Sequence, residues 1–199
     1  MTTLLTPQQL LRKRADGETV LSDAPETPQT HILSILIENH AGALNRVVNL
    51  FSARNLNLDS VSVGTTEDPE VSRLTIVTTG SRRKVRQAVR LVRQLIDVLQ
   101  LDEFTPNDAV VERELCLAKL AATAADRSSV VELTRSLGAR LVHADREAVT
   151  VELTGTFSEI DSFIDIVGEH GLMEVARSGR LALHRQRFLS LDPTFSPAR

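Results

Sequence analysis

The sequence predicts an α+β protein built from two tandem ferredoxin-like units, each with the element order βαββαβ. The first observation is that apolar or alternating runs of strand length are separated by segments whose apolar residues recur at helical spacing. The second is that this order occurs twice, in residues 31–105 and again in residues 106–188. The length agrees, because 199 residues correspond to one or two domains at roughly 150 residues per domain.

The first unit opens with a strand, a helix and a second strand. ILSILIE (32–38) is an apolar run of strand length. The helix that follows has one apolar face, formed by Leu44, Val47, Val48 and Phe51. LNLDSVSVGTTEDP (56–69) then contains the second strand and ends in a turn at Asp68-Pro69.

The remainder of the first unit is a strand, a helix and a strand. VSRLTIVTTG (71–80) alternates as a strand does, and LIDVLQLDE (95–103) closes the unit as its fourth strand. The helix between them directs three valines inward, Val85, Val89 and Val92.

The second unit repeats this order. ELCLAKLAA (114–122) is a strand, ARLVHAD (139–145) and EAVTVELTG (147–155) form a hairpin, and LMEVARSGRLALHR (172–185) supplies the last strand. Its two helices direct these apolar residues inward: Val130, Leu133 and Leu137 in the first, and Ile160, Phe163, Ile164 and Val167 in the second.

Both helices of the second unit have a marked beginning. The first helix follows Asp126. Thr156 and Glu159 precede the second and predict a capping box, in which each side chain satisfies a backbone N–H that the helix leaves unpaired.

The units are flanked by two segments without such patterns. Residues 1–30 are expected to form a flexible N-terminal arm, because Pro25 and Pro28 punctuate its end as in a linker. Residues 189–199 are expected to form a tail. Each unit is small and buries little core alone, and each leaves a face or an edge of its sheet to be covered. We therefore expect a homodimer whose sheets join across subunits.

Composition excludes several classes of protein. Aromatic residues are only 3%, all of them phenylalanine, and the net charge is −3, whereas nucleic-acid binders are usually basic and stack aromatics on bases. No run approaches the roughly 18 apolar residues that cross a membrane, and the N-terminus lacks the order of a signal peptide. One cysteine, Cys116, fits a reducing compartment. We therefore expect a cytoplasmic protein that binds neither nucleic acid nor membrane.

Residue patterns that indicate catalysis or metal binding do not occur in the sequence. It has no nucleophile elbow, zinc-protease motif, glycine-rich phosphate loop or C-x-x-C. Cys116 lies in a predicted strand and is interpreted as a buried small residue, not a nucleophile. The five histidines show no ligand spacing and are expected at the surface or at sheet edges: His31, His40, His143, His170 and His184. We predict no catalytic residues and no metal site.

One helix of the first unit is strongly basic and carries no acid. Its basic residues are Arg82, Arg83, Lys84, Arg86, Arg90 and Arg93. A solvated helix face is the first interpretation, and a docking surface for an acidic partner protein is the second. Nucleic-acid binding comes third, because the rest of the chain does not support it.

The loop ENHAGAL (38–44), between the first strand and the first helix, is the candidate binding site. Gly42 permits close approach of a backbone or a ligand. A helix N-terminus leaves N–H groups unpaired and favours an anion such as a carboxylate. A simple turn glycine is the alternative interpretation.

Five short motifs, in this order, resemble the small regulatory subunits of acetolactate synthase, whose first domain is an ACT domain. They are ENxxGxL (38–44), RxxNLDS (54–60), DPxxSRxTI (68–76), VEREL (111–115) and EVARSG (174–179). The resemblance covers residues 31–184 and implies that the first unit is an ACT domain and the second a similar ferredoxin-like domain.

The resemblance implies a non-catalytic subunit that activates a separate catalytic subunit and confers feedback inhibition by branched-chain amino acids, valine above all. The effector would bind between the ACT domains of two chains. One chain would contribute Asn39, Gly42, Ala43 and Leu44, and the other Asn57 and Leu58. Backbone N–H groups would hold the carboxylate, amide oxygens would accept from the ammonium group, and leucines would line an aliphatic pocket. Thiamine diphosphate, magnesium and FAD would bind to the catalytic subunit, and no cofactor to this chain.

The sequence departs from the family pattern at one turn position, and it is compatible with two alternative functions. Asn55 stands where the family usually has glycine, and asparagine is among the few residues that tolerate a left-handed backbone. One alternative is a stand-alone ACT-type amino-acid sensor that acts on another enzyme. The other is a small hydrolase on a ferredoxin-like fold, which would need a phosphate-cradling loop with a positioned arginine. No arginine is expected to point at the loop 38–44.

Overall fold

A computed structural model describes residues 27–105, 108–123 and 126–185. The predicted arm up to residue 26 and the predicted tail lie outside the described residues. The α+β fold with two βαββαβ units is confirmed. None of the helices in the described ranges combines the length and the apolarity that crossing a membrane would require.

The first unit has the predicted order of four strands and two helices. They are β1 (Gln29–Glu38), α1 (Ala43–Ser52), β2 (Leu58–Thr65), β3 (Val71–Gly80), α2 (Arg82–Val92) and β4 (Val98–Phe104). The fourth strand begins later than predicted. The N–H groups of Leu95 and Val98 donate to the carbonyls of Val92 and Leu95, so residues 95–97 form a turn.

The first sheet is antiparallel, with the strand order β2-β3-β1-β4. Successive side chains of a strand point to opposite faces, so every second residue of β1 and β3 enters the core under the helices. The core on that face includes Leu33, Ile35, Leu74, Ile76, Val47, Phe51, Val85 and Val89. Of the inward positions predicted for the two helices, Val92 also lies in this core and Leu44 packs against it, whereas Val48 is only partly buried and lies outside the core. The edge strands of the sheet are β2 and β4.

The second unit repeats the same sheet order, as β6-β7-β5-β8. Its elements are β5 (Val110–Ala121), α3 (Arg127–Ser136), β6 (Arg140–Ala144), β7 (Ala148–Gly155), α4 (Phe157–Gly168), β8 (Leu172–Arg177) and β9 (Leu181–His184). The capping box of α4 is confirmed, because Glu159 Oε2 accepts from the N–H of Thr156 at 2.6 Å and Thr156 Oγ1 accepts from that of Glu159 at 3.4 Å. Within α3, only Thr134 is fully buried.

The predicted last strand, 172–185, is wrong as a single element, because the chain turns within it. Gly179 has a φ of +75°, which favours glycine, and a Cβ there would lie 3.1 Å from the Cβ of Ser60. After this turn, β9 pairs with residues 110–113 of β5. The alternating apolar pattern continues through the turn, so the pattern alone does not show the break.

The two-stranded ribbon of β9 and residues 110–113 lies on the face of the first sheet that carries no helix. β9 contacts β1, and the ring of His184 lies 4.6 Å from that of Phe104. Residues of the sheet on this face are buried: Ser34, Leu36, Thr75 and Val77. The face that was expected to need a second chain is thus covered within one chain, whereas β2 remains an open edge.

Candidate functional site

The loop 38–44 ends at Gly42, the N-cap of α1. Its φ of +92° and ψ of −16° are left-handed, a conformation that glycine adopts without strain. No side chain caps the helix, and among the described residues no acceptor is found for the N–H groups of Gly42, Leu44 and Asn45. Several unpaired donors therefore remain at a helix N-terminus, where an anion is stabilised.

The other two residues predicted from this end of α1 are partly engaged. Ala43 is buried, and its N–H donates to the carbonyl of His40 at 3.3 Å, a long hydrogen bond. Leu44 is partly buried and packs against the first core. Of the amides at 42–44, two are thus available and one is used within the loop.

Asn39 is held by the turn that precedes β3. Its backbone N–H donates to the carbonyl of Glu70 at 2.7 Å, and its side-chain Nδ2 donates to the carbonyl of Pro69 at 2.8 Å. The amide orientation follows from this acceptor. The side-chain oxygen, Oδ1, is therefore left as an acceptor for a ligand.

Asn57 shows the same arrangement at the start of β2. Its Nδ2 donates to Oδ1 of Asp59 at 3.1 Å, and Thr79 donates to the other oxygen of that carboxylate at 2.7 Å. Because a carboxylate only accepts, the amide nitrogen faces Asp59 and the amide oxygen faces away. Leu58 is partly buried against the first core. Asn55, before this strand, has a φ of +51°, so the expected left-handed backbone is confirmed.

Within one chain the two halves of the predicted site lie at opposite ends of the sheet. Glu38 is opposite Val71, whereas Leu58 is opposite Thr78. Seven residues of β3 at about 3.4 Å each separate these levels by roughly 24 Å. The structure therefore does not bring the two halves together in a single chain.

Sequence reasoning missed the carboxylate that organises this loop. The side chain of Asp97, between α2 and β4, is 4% exposed. It accepts from Nε and Nη2 of Arg46, the latter at 2.7 Å, and lies 3.0 Å from Nε2 of His40. Its backbone oxygen accepts from the N–H of Glu38 at 2.9 Å. One residue thus ties down the start of the loop, its middle and the first turn of α1.

The pKa values of these groups follow from the contacts. The hydrogen bond from Arg46 lowers the pKa of Asp97, and the same bond raises that of Arg46. The pKa of His40 is raised, first by its hydrogen bond to the carbonyl of Ala41 and then by Asp97. These hydrogen bonds favour the ionised form of Asp97 and the protonated forms of Arg46 and His40.

The expectation that no arginine points at the loop is wrong. Nη1 of Arg46 lies 3.4 Å from the position that a Cβ on Gly42 would take. Helix side chains lean toward the N-terminus of their helix, so a residue four positions after the N-cap covers the cap. That spacing was a usable signal in the sequence.

Glu38, His40 and Asp97 form a group that could hold a cation. One ligand atom from each lies within 4.8 Å of the other two. Arg46, however, already contacts both oxygens of Asp97, and a metal ion would have to displace this like charge. We therefore interpret these contacts as holding the loop 38–44 in place. The absence of a metal site stays a prediction.

Of the histidines predicted at the surface or at sheet edges, His31 contradicts the prediction because it is buried on the central strand β1, whereas His184 lies on the edge strand β9 with a buried side chain. His31 is 7% exposed, with Nδ1 2.9 Å from Glu103. The side chain of His184 is 5% exposed, with Nε2 3.7 Å from Asp102. A carboxylate on a neighbouring strand gives each buried imidazole a polar partner. Cys116 is fully buried, as predicted, and burial raises the pKa of its thiol.

Two of the sequence motifs meet in the second unit. Arg177, from EVARSG, donates to both oxygens of Glu114, from VEREL, at 2.8 Å each. A third nitrogen donates to Asp161 of α4 at 2.7 Å. Glu114 is 4% exposed, and its hydrogen bond raises the pKa of Arg177. This pair joins β5, β8 and α4 just before the turn at Gly179.

Two family models match successive parts of the chain. Residues 33–100 match the family described as the AHAS small subunit-like ACT domain. Residues 113–186 match the family described as the small subunit of acetolactate synthase.

Individual relatives match this chain along most of their own length. A probable acetolactate synthase small subunit from Archaeoglobus fulgidus is 39% identical over 155 residues, which cover 78% of this chain and 96% of the relative. The acetolactate synthase isozyme 3 small subunit of Escherichia coli is 38% identical over 155 residues, covering 77% and 94%. The crystal structure of the acetolactate synthase small subunit from Thermotoga maritima superimposes with a TM-score of 0.73 at 29% identity, over 80% of this chain and 99% of that one. The chain belongs to the acetolactate synthase small subunit family.

Proposed function

We propose that this chain is the non-catalytic regulatory subunit of an acetolactate synthase. It activates a catalytic large subunit and inhibits it when a branched-chain amino acid, valine foremost, binds between the ACT domains of two copies. The relatives named as small subunits and the match to an ACT domain support this proposal. Thiamine diphosphate, magnesium and FAD are assigned to the catalytic subunit, and the assembly to the cytoplasm.

The observation that carries the proposal is the set of polar groups left unpaired by the two halves of the site. Gly42 and Leu44 offer N–H donors, which suit a carboxylate. Asn39 and Asn57 have their amide nitrogens engaged, which leaves two oxygens for an ammonium group. An α-amino acid carries both groups on one carbon, and its side chain would then face the partly buried leucines.

Dimerisation through β2 would complete the site. β2 is an edge strand whose residues are exposed or only partly buried. If two β2 strands pair antiparallel, the Leu58 end of one meets the Thr65 end of the other. The Thr65 end is level with Ser72, beside the loop 38–44 of its own chain. The arrangement therefore brings residues 57–58 of one copy toward the loop of its partner.

Reconstitution tests the function. Acetolactate formation from pyruvate is measured with the full chain alone, with the catalytic subunit of the same organism alone, and with both at increasing valine concentration. We expect no turnover by this chain, a higher rate in the complex, and a decrease with valine. Turnover of pyruvate by this chain alone would show that it is an enzyme. A catalytic subunit whose rate does not change at saturating amounts of this chain would favour the stand-alone sensor.

The dimer is tested separately by light scattering at micromolar concentration with valine present. Val63 on β2 and Leu99 on β4 are both exposed apolar residues on edge strands. Val63→Lys is expected to give a monomer, and Leu99→Lys is the matched control that keeps the dimer. A monomeric wild type, or equal effects of the two substitutions, would contradict pairing through β2.

A further inference from the structure

The free edge of the Arg46 guanidinium faces the helix N-terminus at which the proposed function places the effector carboxylate. Nε and Nη2 are directed to Asp97. Among the described residues, Nη1 has no hydrogen-bond partner, although it lies 3.4 Å from the Cβ position of Gly42. The side chain is 45% exposed, so a ligand can reach it.

We propose that Arg46 is a ligand of the effector carboxylate, with Nη1 donating alongside the free N–H groups of Gly42 and Leu44. The inference rests on the proposed function and adds a residue to its site. A planar guanidinium can bind one carboxylate along one edge and present a different N–H on the other side. Asp97 is then a positioning residue, because it fixes the plane of the guanidinium without touching the effector.

The charges around Arg46 determine how much it contributes to effector affinity. The charge of Arg46 is shared with Asp97, and Glu38 lies close by, 3.3 Å from His40. Arg46 therefore acts mainly through one directed hydrogen bond to a charged group rather than as an isolated cation. Such a bond corresponds to about tenfold to hundredfold in affinity, and the nearby carboxylates place the expectation at the lower end, about tenfold.

A comparison of amino acids with their amides isolates the contact. Valine, leucine and isoleucine, and the corresponding amino-acid amides, are titrated into the full-length protein by calorimetry. The amides keep the ammonium group and the side chain but lack the charged carboxylate. In the wild type we expect the acid to bind more tightly than the amide. In Arg46→Gln, that preference should fall about tenfold, while amide binding changes little.

Two further variants make the result decisive. Arg86→Gln removes one exposed positive charge from α2 and should leave the preference unchanged. If Arg46→Gln does not fold, because Asp97 is left without its partner, the neutral pair Arg46→Gln with Asp97→Asn replaces it in the same titration. Circular dichroism confirms folding in each case.

The outcomes separate the two proposals. Equal loss of acid and amide binding in Arg46→Gln would overturn the inference, because Arg46 would then only support the loop. An equal fall in preference in Arg86→Gln would also overturn it, since long-range charge would explain both. A wild type that binds none of the three amino acids would overturn the proposed function itself.

Discussion

Gly42 offers a perturbation in which backbone strain and charge can be separated. Its φ is +92°, and a Cβ added there meets only the end of the Arg46 side chain, at 3.4 Å. Gly42→Ala therefore tests the left-handed backbone alone. Gly42→Asp adds a carboxylate beside the donors that are proposed to hold the effector. We expect both variants to fold and Gly42→Asp to lose considerably more affinity for valine.

The strain is shared by both variants. A non-glycine residue in the left-handed region costs about 1–2 kcal/mol, and each kcal/mol lowers the Tm of a chain of this size by about 2–4 °C. Both variants should therefore melt roughly 2–8 °C below the wild type. A glycine-to-alanine substitution at Gly155, whose φ is not left-handed, cannot serve as a strain-free control, because the added Cβ would lie 2.8 Å from the Glu159 side chain.

The charge acts in the aspartate variant alone. Two carboxylates about 4 Å apart repel by about 1 kcal/mol in water and about 4 kcal/mol at an effective dielectric near 20. Gly42 is exposed, so the lower part of this range, about 1–2 kcal/mol, applies. Valine should therefore bind about fivefold to thirtyfold more weakly to Gly42→Asp than to Gly42→Ala.

The assay is calorimetric titration of valine, with the Tm measured in parallel, followed by inhibition of the rebuilt complex. A ligand shifts an equilibrium only through differential affinity, so Gly42→Asp should retain activation and need about fivefold to thirtyfold more valine than Gly42→Ala for half-maximal inhibition. Equal affinity in the alanine and aspartate variants would refute the electrostatic argument. Unchanged affinity in both would show that Gly42 serves only the turn, and loss of activation would indicate damage to the fold or to the subunit contact.

Three further predictions concern stability and recognition. The pKa of His40 is raised above its ordinary 6.5. The stabilisation that protonated His40 provides is therefore complete below about pH 6.5 and is lost as pH rises through the folded-state pKa. The Tm difference between the wild type and His40→Gln should be larger at about pH 5 than at about pH 9. Asn57→Leu should weaken valine binding about tenfold or more, measured by calorimetry, because the ammonium group loses a charge-assisted acceptor. Glu114→Gln should reduce the free energy of unfolding by about 3 kcal/mol, because it leaves Arg177 without its buried charged partner. Asp161→Asn, which removes the exposed partner of the same arginine, should reduce it by less than about 1 kcal/mol. Denaturant titration measures both.

Local patterns predicted most of the fold because the residues that determine each element lie close together in sequence. The apolar stripe of α1 and the capping box at Thr156 and Glu159 are of this kind. The turn at Gly179 was not predictable from alternation, because glycine within an apolar strand pattern also suits a bulge. It became a turn because β9 finds its partner in residues 110–113, far away along the chain.

Some residues of the candidate site could likewise be predicted from the local sequence, and others could not. Gly42 at the start of α1 could be identified from the loop sequence, and its conformation is the one a glycine permits. Asp97 could not, because it is 51 residues from Arg46 and its role depends on β4 lying next to β1. The burial of His31 and His184 likewise depends on carboxylates supplied by β4.

The position of β9 has a consequence for the order in which the chain is made. The helix-covered face of the first sheet needs only residues of the first unit, whereas the opposite face is covered by one of the last strands to leave the ribosome. Until then, the face of β1 that β9 contacts lacks the cover that this strand provides, and contacts this distant in sequence form slowly. During synthesis the first unit therefore passes through a half-covered state, in which its open face is available to chaperones and to other nascent chains. A chain that ends before Leu181 would remain in that state.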